Sequence, residues 1–249
     1  VADTSKNTST TDYVAKANSI LFDKGKTFYW AKRFLNAHTA QRAIRLYRFC
    51  RLIDDIADES VDQNQALTHL NGIKTSLQQG ASDDIVVSDA IALFNECNIP
   101  ITVPTALIEG VLTDLSLVQI KDAPQLIEYC YRVAGTVGIM MCKTLNVSDT
   151  NAVYHAIDLG IGMQLTNICR DVHADAMISR VYLPESMTGP LTPNDITEPS
   201  DGTQKKLTSA ITLLLNQADA YYASGYRGLT YLPLRSRLSM LVAAKLYQQ

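Results

Sequence analysis

From Thr39 to Ile53 the chain reads TAQRAIRLYRFCRLI. Its apolar positions Ala43, Ile44, Leu46, Tyr47, Phe49, Cys50 and Ile53 recur at the three- and four-residue spacing of a helix face, with no Pro or Gly between them. The same period fills most of the sequence. Helical segments are expected at 19–37, 39–59, 63–80, 84–97, 104–119, 123–146, 149–177, 204–227 and 231–248. No run between turn signals alternates convincingly with a period of two. IVV at 85–87 is the best strand candidate, but it is short and runs on into the helical pattern of DAIALFNEC. Pro100 and Pro104 bracket a turn, Ser148-Asp149 reads as an N-cap, and 186–203 is the one long Pro/Gly/Ser loop. Without repeats or low-complexity tracts, the pattern predicts a single all-α domain over 19–249 behind a polar, frayed stretch at 1–18.

Composition narrows the function classes. A chain of 249 residues that is 47% hydrophobic can bury a substantial core. A net charge of −3 gives no basic field to hold nucleic acid. The cysteines, Cys50, Cys97, Cys130, Cys142 and Cys169, are odd in number and form no CxxC, so packed, reduced thiols are expected. With no signal peptide in view, a cytoplasmic setting fits that usage. The longest uncharged stretches, such as LTSAITLLLNQA, fall short of the roughly 20 residues that span a bilayer, so any membrane contact would be peripheral.

Two polar constellations interrupt the apolar pattern. In RLIDDIADE (51–59), Arg51, Asp54, Asp55 and Asp58 share an arc of roughly 100° on one helix face. Such carboxylates repel one another and oppose the helix dipole, which a cation would offset. Taken alone, a cluster of this kind is more often a solvated helix end. Arg42, Arg45, Arg48 and Arg51 do not form one stripe, because each three-residue step turns the helix by about −60°. Only Arg51 and Arg48 can accompany the aspartates.

The second constellation is QLTNICRDVHAD (164–175). Relative to Asn167, Asp171, Gln164 and Asp175 fall at about 40°, 60° and 80°. Embedded in the apolar AIDLGIGMQLTNIC, this stripe must be paired, hydrated or bound to something. Two helices offering hard oxygen donors across a cavity suit Mg²⁺, which keeps much of its water and bridges carboxylates to phosphates. His173 points about 120° away from Asn167. His38, His69 and His155 have no metal-ligand spacing, so zinc is not expected.

LYRFCRLIDDIADE and QLTNICRDVHADAMISRVYLP resemble, in order, the two aspartate-rich signatures of the squalene/phytoene synthases. YCYRVAGTVGIMM and KTFYWA resemble that family's intervening helix and N-terminal substrate segment, and YYASGYRGLTYLPLRSRLSM is similar to the C-terminal region of its bacterial phytoene synthases. The resemblance covers about residues 19–248. It implies an isoprenoid-synthase-type helical bundle around a central cavity, with Asp54, Asp58, Asn167, Asp171 and Asp175 holding Mg²⁺, or Mn²⁺, on two prenyl diphosphates. Lys26, Arg51, Arg170, Arg180 and Tyr247 match positions that bind or orient diphosphate oxygens, a task suited to the planar fork of Arg. Phe28, Tyr47, Tyr129 and Gln164 match chamber positions, where aromatic faces stabilise carbocations. Tyr129 joins Asp54, Asp58, Asp171 and Asp175 as an expected catalytic group. Lys26 also fits a surface lysine, and Tyr47 and Tyr129 also fit core tyrosines. Gly135 and Gly138 serve either a close helix approach or room for a long isoprenoid chain.

The implied activity is head-to-head condensation of two geranylgeranyl diphosphates, through a cyclopropylcarbinyl diphosphate, to phytoene without NADPH. The C15 alternative gives squalene, dehydrosqualene or presqualene diphosphate, and a non-catalytic scaffold of the same fold is a third reading. DDIADE also resembles the form found in enzymes making presqualene diphosphate. The chain ends at KLYQQ, where the family usually continues for several dozen residues with another helix and further basic positions, so the resemblance leaves two readings: a cavity short of a lid or wall, or a trimmed chain. The oligomeric state stays open.

Overall fold

The computed structural model describes residues 34–60, 62–147 and 149–248. Most of the 19–37 segment, the polar 1–18 stretch, Lys26 and Phe28 lie outside the described residues.

Local chemistry sets most helix starts. Asn36 accepts a hydrogen bond from the Thr39 amide at 2.9 Å and opens α1 (Ala37–Glu59). Asp62 caps α2 (Gln63–Gln79), which ends at Gly80 with φ of 73°. Asp84 accepts from the amides of Val86 and Val87, which makes IVV the first turn of α3 (Ile85–Glu96) instead of a strand. α4 spans Thr102–Thr113, with Pro104 in its first turn, where a missing amide proton costs little. Asp122 caps α5 (Ala123–Cys130), and a π-helical turn (Tyr131–Gly135) joins it to α6 (Thr136–Thr144). Asp149 caps α7 (Thr150–Met177), as its sequence position predicts.

The 104–119 segment differs from its sequence reading. Its helix stops at Thr113, and Val118–Gln119 forms β1, paired in parallel with β2 (Arg180–Val181). Val118 and Ile120 are buried and Gln119 is exposed, an alternation too brief to register as a period. The loop at 186–203 also contains structure. Its surroundings hold two short helices, α8 (Glu185–Thr188) and α9 (Pro193–Thr197), the second closed by a Thr192/Asp195 capping box. α10 (Asp201–Gly228), a 3₁₀ turn (Leu229–Tyr231) and α11 (Leu234–Gln248) complete the described fold.

The core has two large centres and a small third one around Cys142, Leu145, Leu229 and Leu232. One packs α1–α4 together with Met140 of α6, including an edge-to-face contact of Phe49 with Phe94 at 5.2 Å. The other large centre packs α5, α7 and α10 with the strand pair. Half-buried Val133, in the π turn, packs against both. α6 lies against α1 on one side and α7 on the other. α6 thus joins the helices that carry the two aspartate clusters.

The α6–α7 crossing is very close. A Cβ on Gly138 would fall 2.2 Å from the Ala156 carbonyl oxygen, and, where the preceding π turn meets α7, one on Gly160 would fall 2.4 Å from that of Ala134. Of the two sequence readings of Gly138, close helix approach is therefore the one the packing supports.

Candidate active site

The C-terminal halves of α1 and α7 bring their polar faces to the same end of the bundle. On α1, Arg51 donates to Asp55 one turn later, and Asp54 and Asp58 remain exposed. Asp54 keeps accessible surface while packed protein crowds it, as on the wall of a recess. Burial pushes its pKa up to about 7 against the pull of Arg51, with Asp58, Asp55 and Asp114 adding to the rise. Arg42 and Arg45 instead pair with Glu96 and Asp89 on α3, away from the aspartates, as the helix angles predict.

On α7, Asn167, Asp171 and Asp175 are all partly buried, and His173 is exposed. Asp171 is gripped by its neighbour Arg170, whose Nε and Nη2 donate to its two oxygens at 2.8 and 2.6 Å. Burial and the charge of Asp171 raise Asp175 to about 6. Gln164 is half-buried two turns before Asp171.

Arg180 bridges the two helix ends. Ser179, at φ of 64°, turns the chain out of α7, and Arg180 then pairs with Val118 in the strand ladder. From there its Nη1 donates to Asp58 Oδ1 at 2.8 Å. The small sheet thus fixes one basic group over the α1 cluster.

Sequence reasoning missed Asp114 and Tyr182. Asp114, just past the end of α4, accepts from the Tyr129 hydroxyl on Oδ2 and from the Tyr182 hydroxyl on Oδ1, both at 2.9 Å. The two rings stack at 5.0 Å. Burial raises Asp114 to about 6, although both phenol hydrogen bonds favour its charged form. Nothing periodic marks Asp114 in the sequence, because its partners come from other elements. Tyr129 itself is buried, and burial together with Asp114 drives its pKa well above the usual phenol value.

Tyr247 of α11 is close enough to influence both Tyr47 on α1 and Arg170 on α7. Apart from Asn167 and Gln164, which are placed by their position on α7 alone, the expected residues within the described chain are thus linked by hydrogen bonds or charge across α1, α5, α7, β2 and α11.

The donor set can be tested against Mg²⁺. Among the described residues, no three His, Cys, Asp or Glu side chains converge closely enough to enclose an ion. Asn167 Oδ1 is buried without a hydrogen-bond partner, and Asp54 and Asp175 both titrate high. A buried acceptor and crowded carboxylates mark a deficit of positive charge, so the residues fit the cation.

Comparison with known proteins identifies the family. The model of the squalene/phytoene synthase family matches residues 22–249. The 15-cis-phytoene synthase of Pantoea ananas is 30% identical over 236 residues, covering 90% of this chain and 76% of that protein. The 15-cis-phytoene synthase of a Paracoccus species is 31% identical over 252 residues, covering 95% and 80%. A ligand-bound dehydrosqualene synthase crystal structure matches with a TM-score of 0.82 at 28% identity, covering 94% of this chain and 83% of that one. With its described residues forming an all-α bundle and both aspartate-bearing helix ends in place, the chain belongs to the squalene/phytoene synthase family, whose members are prenyltransferases.

Proposed function

We propose that this prenyltransferase joins two geranylgeranyl diphosphates head to head, through a cyclopropylcarbinyl diphosphate, to phytoene. The observation that carries the reading is the meeting of the α1 and α7 carboxylate faces at one end of the bundle, bridged by Arg180 and Asp58. The identity of about 30% to phytoene synthases over most of the chain supports the C20 substrate.

Asp54, Asp58, Asn167, Asp171 and Asp175 would hold Mg²⁺, which when bound neutralises diphosphate charge and makes it a better leaving group. Arg51, Arg170 and Arg180 stand on the same wall to bind and orient diphosphate oxygens. For all three this means exchanging or sharing the carboxylate partners they hold, Asp55, Asp171 and Asp58. Tyr47, Tyr129 and Gln164 line the chamber, and the half-buried apolar side chains around the two large core centres exclude water that would quench a carbocation. Rearrangement and proton loss then give the triene without a reductant, so NADPH is not required.

Leu117, Met177 and Ile178 stand exposed beside the strand pair. A peripheral membrane contact at this end would receive the apolar product.

The likeness to a dehydrosqualene synthase structure favours a second reading, in which the same chemistry runs on the C15 donor. Product analysis after incubation with each prenyl diphosphate, with and without NADPH, separates the two. A C40 hydrocarbon from the C20 donor alone supports the proposal, and a C30 product overturns the substrate assignment.

A further inference from the structure

Asp114 belongs to neither aspartate-rich run. It sits half-buried where the chain leaves α4, and two buried tyrosines from distant elements converge on it. Tyr129 comes from α5, and Tyr182 directly follows β2. We propose that Asp114 is a positioning residue of the active site, taking the hydroxyl protons of both Tyr129 and Tyr182 so that Tyr129 meets the substrate only as an acceptor. The inference rests on the reading of Tyr129 as a chamber residue.

A phenol has one proton to donate, and an ionised carboxylate can only accept. With each phenol donating to its own carboxylate oxygen at 2.9 Å, neither proton is free for the substrate. The lone pairs of the Tyr129 oxygen remain. In a low-dielectric wall, the bond to a carboxylate makes that oxygen more electron-rich. Such an oxygen stabilises a passing cation and does not offer it a proton. The stack of Tyr129 on Tyr182, with ring planes 28° apart, holds the phenol direction from the side. Arg180 keeps Asp114 company electrostatically and pairs with Asp58, so the diphosphate end and the tyrosine wall share one basic group.

The experiment is a double-mutant cycle in the Mg²⁺-loaded enzyme, using Asp114→Asn, Tyr129→Phe and the pair. Asparagine keeps one acceptor oxygen and turns the other position into a donor, which reverses the bond to one phenol. Asp114→Asn is expected to lower kcat about 100-fold while KM changes less than about threefold. The double variant is expected to be no slower than the slower single, because Asp114 acts through Tyr129. Multiplying losses, or an unchanged kcat in Asp114→Asn, would overturn the proposal. If Asp114→Asn fails to fold, Asp114→Glu keeps the charge while shifting the oxygens, and the same split of kcat from KM is read there.

A readout independent of turnover is NMR of ring-labelled tyrosine. The Tyr129 hydroxyl proton is expected to exchange slowly in the wild-type chain and rapidly in the Asp114 variants. Fast exchange in the wild type overturns the positioning role even if no prenyl diphosphate is consumed. Absent turnover with slow exchange would sink the functional reading instead.

Discussion

Arg180 donates to Asp58 at 2.8 Å across 122 residues of sequence, tying the strand that follows α7 to the acidic end of α1. The carboxylate is half-exposed, so the pair contributes on the order of 1 kcal/mol or less to stability. Its value lies in placement. Arg180→Gln is expected to leave thermal unfolding nearly unchanged and to lower kcat/KM about 100-fold. Kinetics beside a thermal melt checks this, and a large loss of Tm with normal turnover of the folded fraction would assign Arg180 to the scaffold.

Asn167 offers opposite signs for stability and function. Its Oδ1 is a buried acceptor without a partner, which costs about 1–3 kcal/mol where no ion or water supplies one. Asn167→Leu is therefore expected to hold or raise the Tm of the metal-free chain. The Mg²⁺ concentration needed for half-maximal activity should rise at least about tenfold. Titration of activity against Mg²⁺ is the check, and an unaltered requirement would remove Asn167 from the metal face.

The raised carboxylates set a pH dependence. Asp54 at about 7 and Asp175 at about 6 bind protons more tightly in the folded chain than in the unfolded one, where 3.8 is usual. Stability from these groups is present at low pH and is lost as pH rises through their folded values. In metal-free buffer, the contribution of Asp54 to Tm should thus favour about pH 5.5 over about pH 7.5. Asp54→Asn should flatten that dependence, and Mg²⁺, which favours the ionised form, should reduce it. Melts of both chains across this range, with and without Mg²⁺, test the sign. Identical pH profiles would contradict it.

The α6–α7 crossing admits no side chain. A Cβ on Gly138 would sit 2.2 Å from a backbone carbonyl oxygen, so neither rotamer choice nor a neighbouring side chain can relieve the overlap. Gly138→Val should destabilise the chain by more than about 3 kcal/mol. Denaturant unfolding measures it, and a loss below about 1 kcal/mol would mean the helices separate easily.

What the sequence revealed and what it hid follow from range. The aspartate faces of α1 and α7 were legible because helical angles are local: Asp54 and Asp58, and Asn167, Asp171 and Asp175, share faces that arithmetic alone supplies. The caps at Asp84 and Asp149 were legible for the same reason in principle, though only Asp149 was read. The parallel pairing of Val118 with Arg180 was not, since two-residue strands leave no period. The π turn at Tyr131–Gly135 also escaped, because its apolar pattern still resembles an α-helix. Asp114 was hidden for a tertiary reason. Its partners lie 15 and 68 residues away, and only the fold brings them to one carboxylate.

The central claim is that two helices build one Mg²⁺-dependent diphosphate site, and a thermal-shift titration with a non-cleavable prenyl diphosphate analogue tests it most directly. Wild type, Asp54→Asn on α1 and Asp171→Asn on α7 would each be melted with the analogue, with Mg²⁺ or with EDTA. The expected result is stabilisation of the wild type that needs Mg²⁺ and is lost in both variants while their helical circular dichroism stays intact. Stabilisation that persists in EDTA, or that survives either substitution undiminished, would contradict a shared site.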